Sequence, residues 1–174
     1  MVRIEAPPGA LGHMWDGEPA LSIVEDFVGQ LSRLARVRAV VAIGSRARGG
    51  WRPWSDIDLV IVCEEHVGPH LPRLRHLGTI DPRPYTPEGL LRGILRCDVE
   101  LVEAFEEGLV LYDDGLWASM RALYERVKTI LGVEKYGPGW RIRRRMPPEE
   151  LAKVMKADLA KLGFKKIALV AKDM

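Results

Sequence analysis

Two segments near the middle of the chain decide the fold. They are Gly44-Ser45 and Ser55-Asp56-Ile57-Asp58-Leu59-Val60-Ile61-Val62. Apolar, β-branched runs adjoin both segments: residues 37–43 lead into the first, and residues 57–63 lie within and after the second. Runs of this kind, bounded by turn residues, predict buried strands. We therefore expect two strands joined by a tight polar loop, with the polar residues gathered at the loop end.

Two acidic residues open the second predicted strand. Asp56 and Asp58 are two positions apart, and because side chains alternate along a strand, both carboxylates should lie on one face. Ile57 and Leu59 should then point the other way, into the core. Two carboxylates this close repel each other unless a cation lies between them. Mg²⁺, which prefers oxygen ligands and substrate phosphates, is the natural cation. The alternative is an acidic turn that merely enters a strand.

The end of the first predicted strand is suited to an anion. Gly44 has no side chain, so another group can approach the backbone closely there. Ser45 can cap a short helix, and exposed backbone amides at a helix start attract phosphate. Arg46 and Arg48 add positive charge beside that point. The two segments together predict a site for a phosphate-bearing ligand and a hard cation.

Both segments resemble the nucleotidyltransferase superfamily that includes DNA polymerase β, and in particular the minimal nucleotidyltransferases of archaea and bacteria. The resemblance covers about residues 35–113. The matching residues are Gly44-Ser45-Arg46-Ala47-Arg48-Gly49, Ser55-Asp56-Ile57-Asp58-Leu59-Val60, Tyr85-Thr86-Pro87-Glu88 and Glu107-Gly108-Leu109-Val110-Leu111-Tyr112-Asp113. It implies an α/β (α+β) chain with the polymerase β-like nucleotidyltransferase fold. That fold is a mixed sheet of three to five strands with helices largely on one face.

The family has a third carboxylate on a neighbouring strand, and Asp81 is our choice for it. Asp98 and Glu100 are the alternatives, although Asp98 is better placed to cap a helix. Pro82 and Pro84 lack amide protons on the same edge of the strand that carries Asp81. Such a strand can lie only at the edge of a sheet.

The resemblance implies two-metal phosphoryl chemistry. A nucleoside triphosphate, with ATP as the expected substrate, would transfer its nucleoside monophosphate to a hydroxyl of a protein, an RNA or a small molecule. The implied ligands of Mg²⁺ or Mn²⁺, which are also the catalytic residues, are Asp56, Asp58 and Asp81. The implied nucleotide-binding residues are Gly44, Ser45, Arg46, Arg48 and Ser55. The alternative is an antitoxin-type binding module for a small helical partner protein, with weak or lost catalysis.

Composition divides the chain into three parts. Residues 1–17 are rich in Gly and Pro and predict a loose arm, residues 18–132 carry the nucleotidyltransferase domain, and residues 133–174 form a basic extension. From Glu134 onward, eleven Lys and Arg face five Asp and Glu. A cluster within the extension could bind nucleic acid through its phosphates. It consists of Arg141, Arg143, Arg144 and Arg145. An acidic protein partner or a merely solvated helix face are the alternatives.

Beyond residues 37–43 and 57–63, periodicity and turn signals predict the remaining elements. Helices are expected over residues 19–35, 86–95, 98–107, 116–131 and 148–163, and strands over residues 79–85 and 109–112. Residues 136–148 are expected to be a linker, and residues 167–170 fit either a strand or a helix.

General composition points to a reduced, water-soluble protein. Cys63 and Cys97 have apolar neighbours and no metal-ligand spacing, which favours buried thiols. The first residues do not show the basic, apolar and small-residue pattern of a signal peptide, and no apolar run approaches the ~20 residues needed to cross a bilayer. We therefore expect a cytoplasmic protein with no membrane partner. The absence of Asn, together with a single Gln, is typical of a thermophile.

Overall fold

A computed structural model of the chain describes residues 2–164. Its centre is a mixed four-stranded sheet with the strand order β3-β2-β1-β4. The strands are β1 (Val37–Ile43), β2 (Ile57–Cys63), β3 (Ile80–Tyr85) and β4 (Leu109–Asp113). Strand β1 runs antiparallel to both β2 and β4, whereas β2 and β3 are parallel. The predicted fold class is confirmed, and the proline-containing strand β3 lies at an edge of the sheet as expected.

Helices cover both faces of the sheet, with most of them on one side. The helices are α1 (Ala20–Leu31), α2 (Gly44–Arg48), α3 (Pro87–Arg96), α4 (Val99–Glu107), α5 (Leu116–Leu131), α6 (Pro148–Val154) and α7 (Lys156–Lys161), with a 3₁₀ helix at Gly68–Arg73. Helices α3 to α7 belong to the core on one face, and α1 packs on the other together with residues of the N-terminal stretch. None of the helices in residues 2–164 combines the length and apolarity needed to cross a membrane.

The two central strands explain why both faces are covered. Val60 and Val62 of β2 face the α3–α5 side, while Leu59 and Ile61 face the α1 side, and all four are fully buried. A strand buried on both faces reads as a continuous apolar run rather than an alternation. The charged residue of β2, Asp58, is the second residue of the strand. The charge on this strand therefore lies at the end of the sheet where β2 begins.

The N-terminal stretch predicted to be loose is packed against the body of the protein. Leu11 and Met14 are buried, and the Glu5 amide donates a hydrogen bond to the Leu111 carbonyl of β4 at 2.8 Å. The basic extension is anchored as well, since Leu151 and Met155 are completely buried in the α3–α5 core. Both ends of the described chain therefore share the core of the central domain.

Several predicted boundaries need correction. Helix α1 ends at Leu31 rather than near residue 35, because the chain turns there to enter β1.

In the basic extension, a hairpin of β5 (Val133–Tyr136) and β6 (Gly139–Ile142) replaces the first part of the predicted linker. It is stabilised by Lys135, whose ammonium lies 4.5 Å from the Trp140 ring centroid. The predicted final helix is split at Met155 into α6 and α7. Residues 167–170 lie outside the described range.

The two cysteines are buried and free, as predicted. Burial raises the pKa of the Cys63 thiol to about 12 and that of Cys97 to about 11. Both thiols are therefore protonated at neutral pH, which suits a role in packing.

Candidate active site

Strand pairing brings two acidic residues of the sequence together. Asp58 at the start of β2 pairs in register with Asp81 of β3 and, on its other side, with Ile43 at the end of β1. Residues in register on neighbouring strands project to the same face of the sheet. Asp58 and Asp81, which are 23 positions apart in the sequence, therefore form one acidic pair. Asp56 lies one residue before β2 and is exposed to solvent.

Gly44 packs directly against Asp58 of this acidic pair. Its φ is +72°, in the left-handed region that favours glycine. A β-carbon at this position would lie 2.6 Å from Oδ2 of Asp58, closer than real contacts allow. The turn from β1 into α2 thus needs glycine both for its backbone angle and for its close approach to the carboxylate.

The acidic pair is partly balanced by an arginine that the sequence analysis missed. Nη2 of Arg83 lies 2.8 Å from Oδ2 of Asp81 and 3.9 Å from Oδ1 of Asp58, and Nε lies 3.2 Å from Oε2 of Glu100. Arg83 is two residues after Asp81 on β3, so the period of two that aligned Asp56 with Asp58 also places Arg83 on the acidic face. That spacing is the signal that could have identified it.

Electrostatics at Asp58 favour a cation in the cleft. Burial raises the pKa of the Asp58 carboxyl above its usual range, and the neighbouring charge of Asp81 adds to this effect, whereas Arg83 opposes it. The carboxylate form of Asp58 is therefore destabilised in the folded chain. A cation that contacts both carboxylates would stabilise the ionised pair.

Arg46 is turned away from the acidic pair and into the protein. Only 2% of its surface is exposed. Its guanidinium donates to the carbonyls of Leu11 at 2.7 Å and Ser55 at 2.9 Å, and it also contacts the sulfur of Met14 at 3.2 Å. Burial lowers its pKa, although Asp56 opposes this. Arg46 thus ties the N-terminal stretch to the loop that leads into β2, instead of pointing at a bound phosphate.

The other predicted nucleotide-binding residues lie in or near the turn between β1 and β2. The Ser55 hydroxyl accepts a hydrogen bond from the Arg52 amide at 2.9 Å and so closes the loop before β2. Arg48 is exposed and pairs with Glu103 and Glu107 of α4. Ser45 is partly exposed at the start of α2. The structure therefore brings Gly44, Ser45 and Arg48 to the end of the sheet where Asp58 and Asp81 lie.

A comparison with protein families agrees with this geometry. The family model described as nucleotidyltransferase domain matches residues 21–111, more than half of the chain. The chain belongs to this family. The match extends from α1 into β4 and contains Gly44, Asp58 and Asp81. No curated protein matches the sequence.

Membership of the nucleotidyltransferase family raises the question of whether these residues fit a divalent metal. Within residues 2–164, no three or more His, Cys, Asp or Glu side chains are grouped so that they could hold a metal ion. The donor chemistry nevertheless fits a hard cation, because the in-register carboxylates of Asp58 and Asp81 share one face of the sheet, and Asp58 lies against the glycine turn. A metal ion bound here would neutralise the charges of Asp58 and Asp81, which Arg83 partly neutralises in this structure.

The alternative third carboxylates, Asp98 and Glu100, lie just before and in the first turn of α4. Asp98 occupies the position before the helix, but its side chain makes no capping hydrogen bond and instead accepts from Arg96 at 3.1 Å. The predicted capping role of the Asp98 side chain is therefore wrong, although the helix begins where expected. Glu100 accepts from the Tyr85 hydroxyl at 2.7 Å and lies beside Arg83. Of the three candidates, Asp81 is the one in register with Asp58.

The basic cluster of the extension is only partly available to an anionic ligand. Arg141 and Arg143 both pair with the carboxylate of Glu134, and these hydrogen bonds lower the pKa of Glu134. Arg144 and Arg145 follow β6 and are exposed. Nucleic-acid binding through this cluster stays a prediction.

Proposed function

We propose that this nucleotidyltransferase domain moves a nucleoside monophosphate from a nucleoside triphosphate to a hydroxyl acceptor in a reaction that depends on Mg²⁺ or Mn²⁺. The observation that supports this best is the in-register pair of Asp58 and Asp81, of which Asp58 packs against Gly44. This arrangement places a glycine turn suited to phosphate beside oxygen donors suited to a divalent metal.

The residues of the cleft have three proposed roles: metal binding, triphosphate binding and positioning. Asp58 and Asp81 would hold the metal, with Asp56 as a further carboxylate whose charge reaches Asp58. When bound, the metal would neutralise phosphate charge and lower the pKa of the acceptor hydroxyl. Gly44 and Ser45 offer backbone amides to the triphosphate, and Arg48 adds a guanidinium. We assign Arg46 to positioning, because its guanidinium already bonds to the carbonyls of Leu11 and Ser55.

The reaction follows from these positions. The acceptor hydroxyl loses its proton toward Asp81, and its oxygen forms a bond to the α-phosphorus of the triphosphate. The bond between the α-phosphorus and the oxygen that bridges to the β-phosphorus breaks, and pyrophosphate leaves. Because metal and Arg83 would compete for Asp81, Arg83 must withdraw from Asp81, and Glu100 is already beside it to receive the guanidinium.

Ligand-induced stabilisation tests this proposal. A triphosphate with Mg²⁺, present at about 100 times its dissociation constant, should stabilise the fold by about 2.7 kcal/mol. In a chain of this length that corresponds to a Tm rise of about 5–10 °C. Replacing both Asp56 and Asp58 by Asn should remove the rise, which differential scanning fluorimetry would measure. A full rise in the double variant would rule out this metal site, and the variant without ligand controls for folding.

The second candidate function is an antitoxin-type binding module for a small helical partner protein. The contact between Arg83 and Asp81 favours it, because a guanidinium that stays there would leave the cleft inactive. In this case the protein should bind its partner equally well with or without Asp58→Asn, and it should transfer no nucleotide. Pull-down of the partner, followed by a transfer assay on the complex, separates the two functions.

A further inference from the structure

Helix α4 directs a row of carboxylates at the cationic and donor groups of the cleft. Glu100, Glu103 and Glu107 are spaced three and four residues apart, so they lie on one side of the helix. Glu100 lies 3.2 Å from Arg83. Glu107 lies 3.8 Å from Arg48. The middle residue, Glu103, makes the contacts that matter most for an anionic ligand.

Glu103 bridges two groups that the proposed function assigns to the triphosphate. Its Oε1 accepts a hydrogen bond from the Gly44 amide at 3.2 Å, and the same oxygen pairs with Nη1 of Arg48. A backbone amide and a guanidinium that converge on one oxygen form an anion site, and carboxylate and phosphate oxygens compete for such donors. The Glu103 carboxylate therefore lies where a phosphate oxygen would bind.

We propose that Glu103 is an intramolecular competitor of the triphosphate, whose carboxylate holds the Gly44 amide and Arg48 until the nucleotide displaces it. This inference rests on the proposed function, because it takes the triphosphate to bind at Gly44 and Arg48. After transfer, the return of Glu103 to these donors favours release of pyrophosphate.

The contact is of a kind that a triphosphate can displace. The exposed fraction is 47% for the Arg48 side chain and 27% for the Glu103 side chain, so the carboxylate can rotate into solvent. Exposed ion pairs contribute little to stability, whereas a triphosphate carries several charges. With Glu103 in place, a bound triphosphate would meet an additional like charge.

The test is the affinity of a triphosphate analogue that cannot be cleaved between its α- and β-phosphates. Glu103→Gln keeps the shape of the side chain and removes its charge. The dissociation constant, measured by isothermal titration calorimetry with Mg²⁺, should fall by about two- to fivefold, the factor expected when an exposed ion pair no longer competes. Glu106→Gln is the matched control. Glu106 is on the same helix but pairs with Lys128 and Tyr124, so its variant should bind like the wild type.

A second pair of variants separates competition from simple bracing. If Glu103 competes for Arg48, the gain from Glu103→Gln should shrink when Arg48→Gln is also present. If Glu103 instead holds Arg48 in its binding position, Glu103→Gln should weaken binding, and that result would overturn the inference while the proposed function survives. Equal affinities of Glu103→Gln and the wild type would overturn it as well. Failure of both proteins to bind the analogue at all would reject the proposed function and this inference with it.

Discussion

Replacing Asp81 by Asn should lower the rate of nucleotidyl transfer at least about 100-fold, the usual cost of losing a general base or a metal ligand of the reacting group. Triphosphate binding should largely survive, because Gly44, Arg48 and Asp58 remain in place. Arg83 would keep its contacts with Asp58 and Glu100, so the strand should stay folded. Incorporation of α-labelled triphosphate into protein or RNA measures the rate, and calorimetric titration measures the binding.

Asp98→Asn is the matched control for Asp81→Asn. Asp98 has the same side chain, precedes α4, and contacts Arg96 at the surface without capping the helix. The substitution should therefore change activity and stability little. An inactive Asp98→Asn beside an active Asp81→Asn would place the third carboxylate at Asp98, just before α4. Full activity of both variants would show that the transfer chemistry does not depend on either residue.

Replacing Arg46 by Met should destabilise the fold far more than the same substitution at Arg48. The change removes the donors that satisfy the carbonyls of Leu11 and Ser55. Buried carbonyls left without partners cost about 1–3 kcal/mol each, so we expect a total loss of roughly 2–4 kcal/mol. The corresponding fall in Tm is about 4–16 °C. Denaturant unfolding followed by circular dichroism measures the loss.

Arg48→Met provides the control, because it makes the same substitution two residues later in the same short helix. Arg48 is exposed and forms only surface ion pairs with Glu103 and Glu107. Surface pairs contribute about 0–1 kcal/mol, so the stability of Arg48→Met should stay close to that of the wild type. Similar losses in the two variants would contradict the positioning role of Arg46.

The different environments of Arg46 and Arg48 could not be predicted from the sequence. Both follow the glycine turn, and nothing local distinguishes them. Their difference depends on the Leu11 carbonyl and the Met14 sulfur, which reach Arg46 only because both residues are buried in the core. Residues 11–14 show no helical or strand periodicity, so their packing cannot be predicted from the sequence pattern. For this reason the sequence predicts a nucleotide-binding role for Arg46, whereas in the structure its buried guanidinium bonds to backbone carbonyls.

The strands of the site were more predictable, because their signals are local. The apolar runs gave the bounds of β1 and β2, and Pro82 with Pro84 identified β3 as an edge strand. The contacts of Arg83 and Glu103 were not predicted. Arg83 carries a period-of-two signal, but Glu103 meets Gly44 only through the packing of α4 on β1, a contact between residues 59 positions apart. Such long-range contacts depend on the assembled core.

The most direct test of nucleotidyl transfer compares two labels on the same triphosphate. The protein, purified with whatever acceptor accompanies it and supplemented with total RNA and Mg²⁺, is incubated with α-labelled or γ-labelled triphosphate. We expect label from the α position in acid-precipitable protein or RNA, none from the γ position, and none from either with Asp58→Asn. Transfer of the γ label, or α-label transfer that survives Asp58→Asn, would contradict a reaction at the cleft formed by Gly44, Asp58 and Asp81.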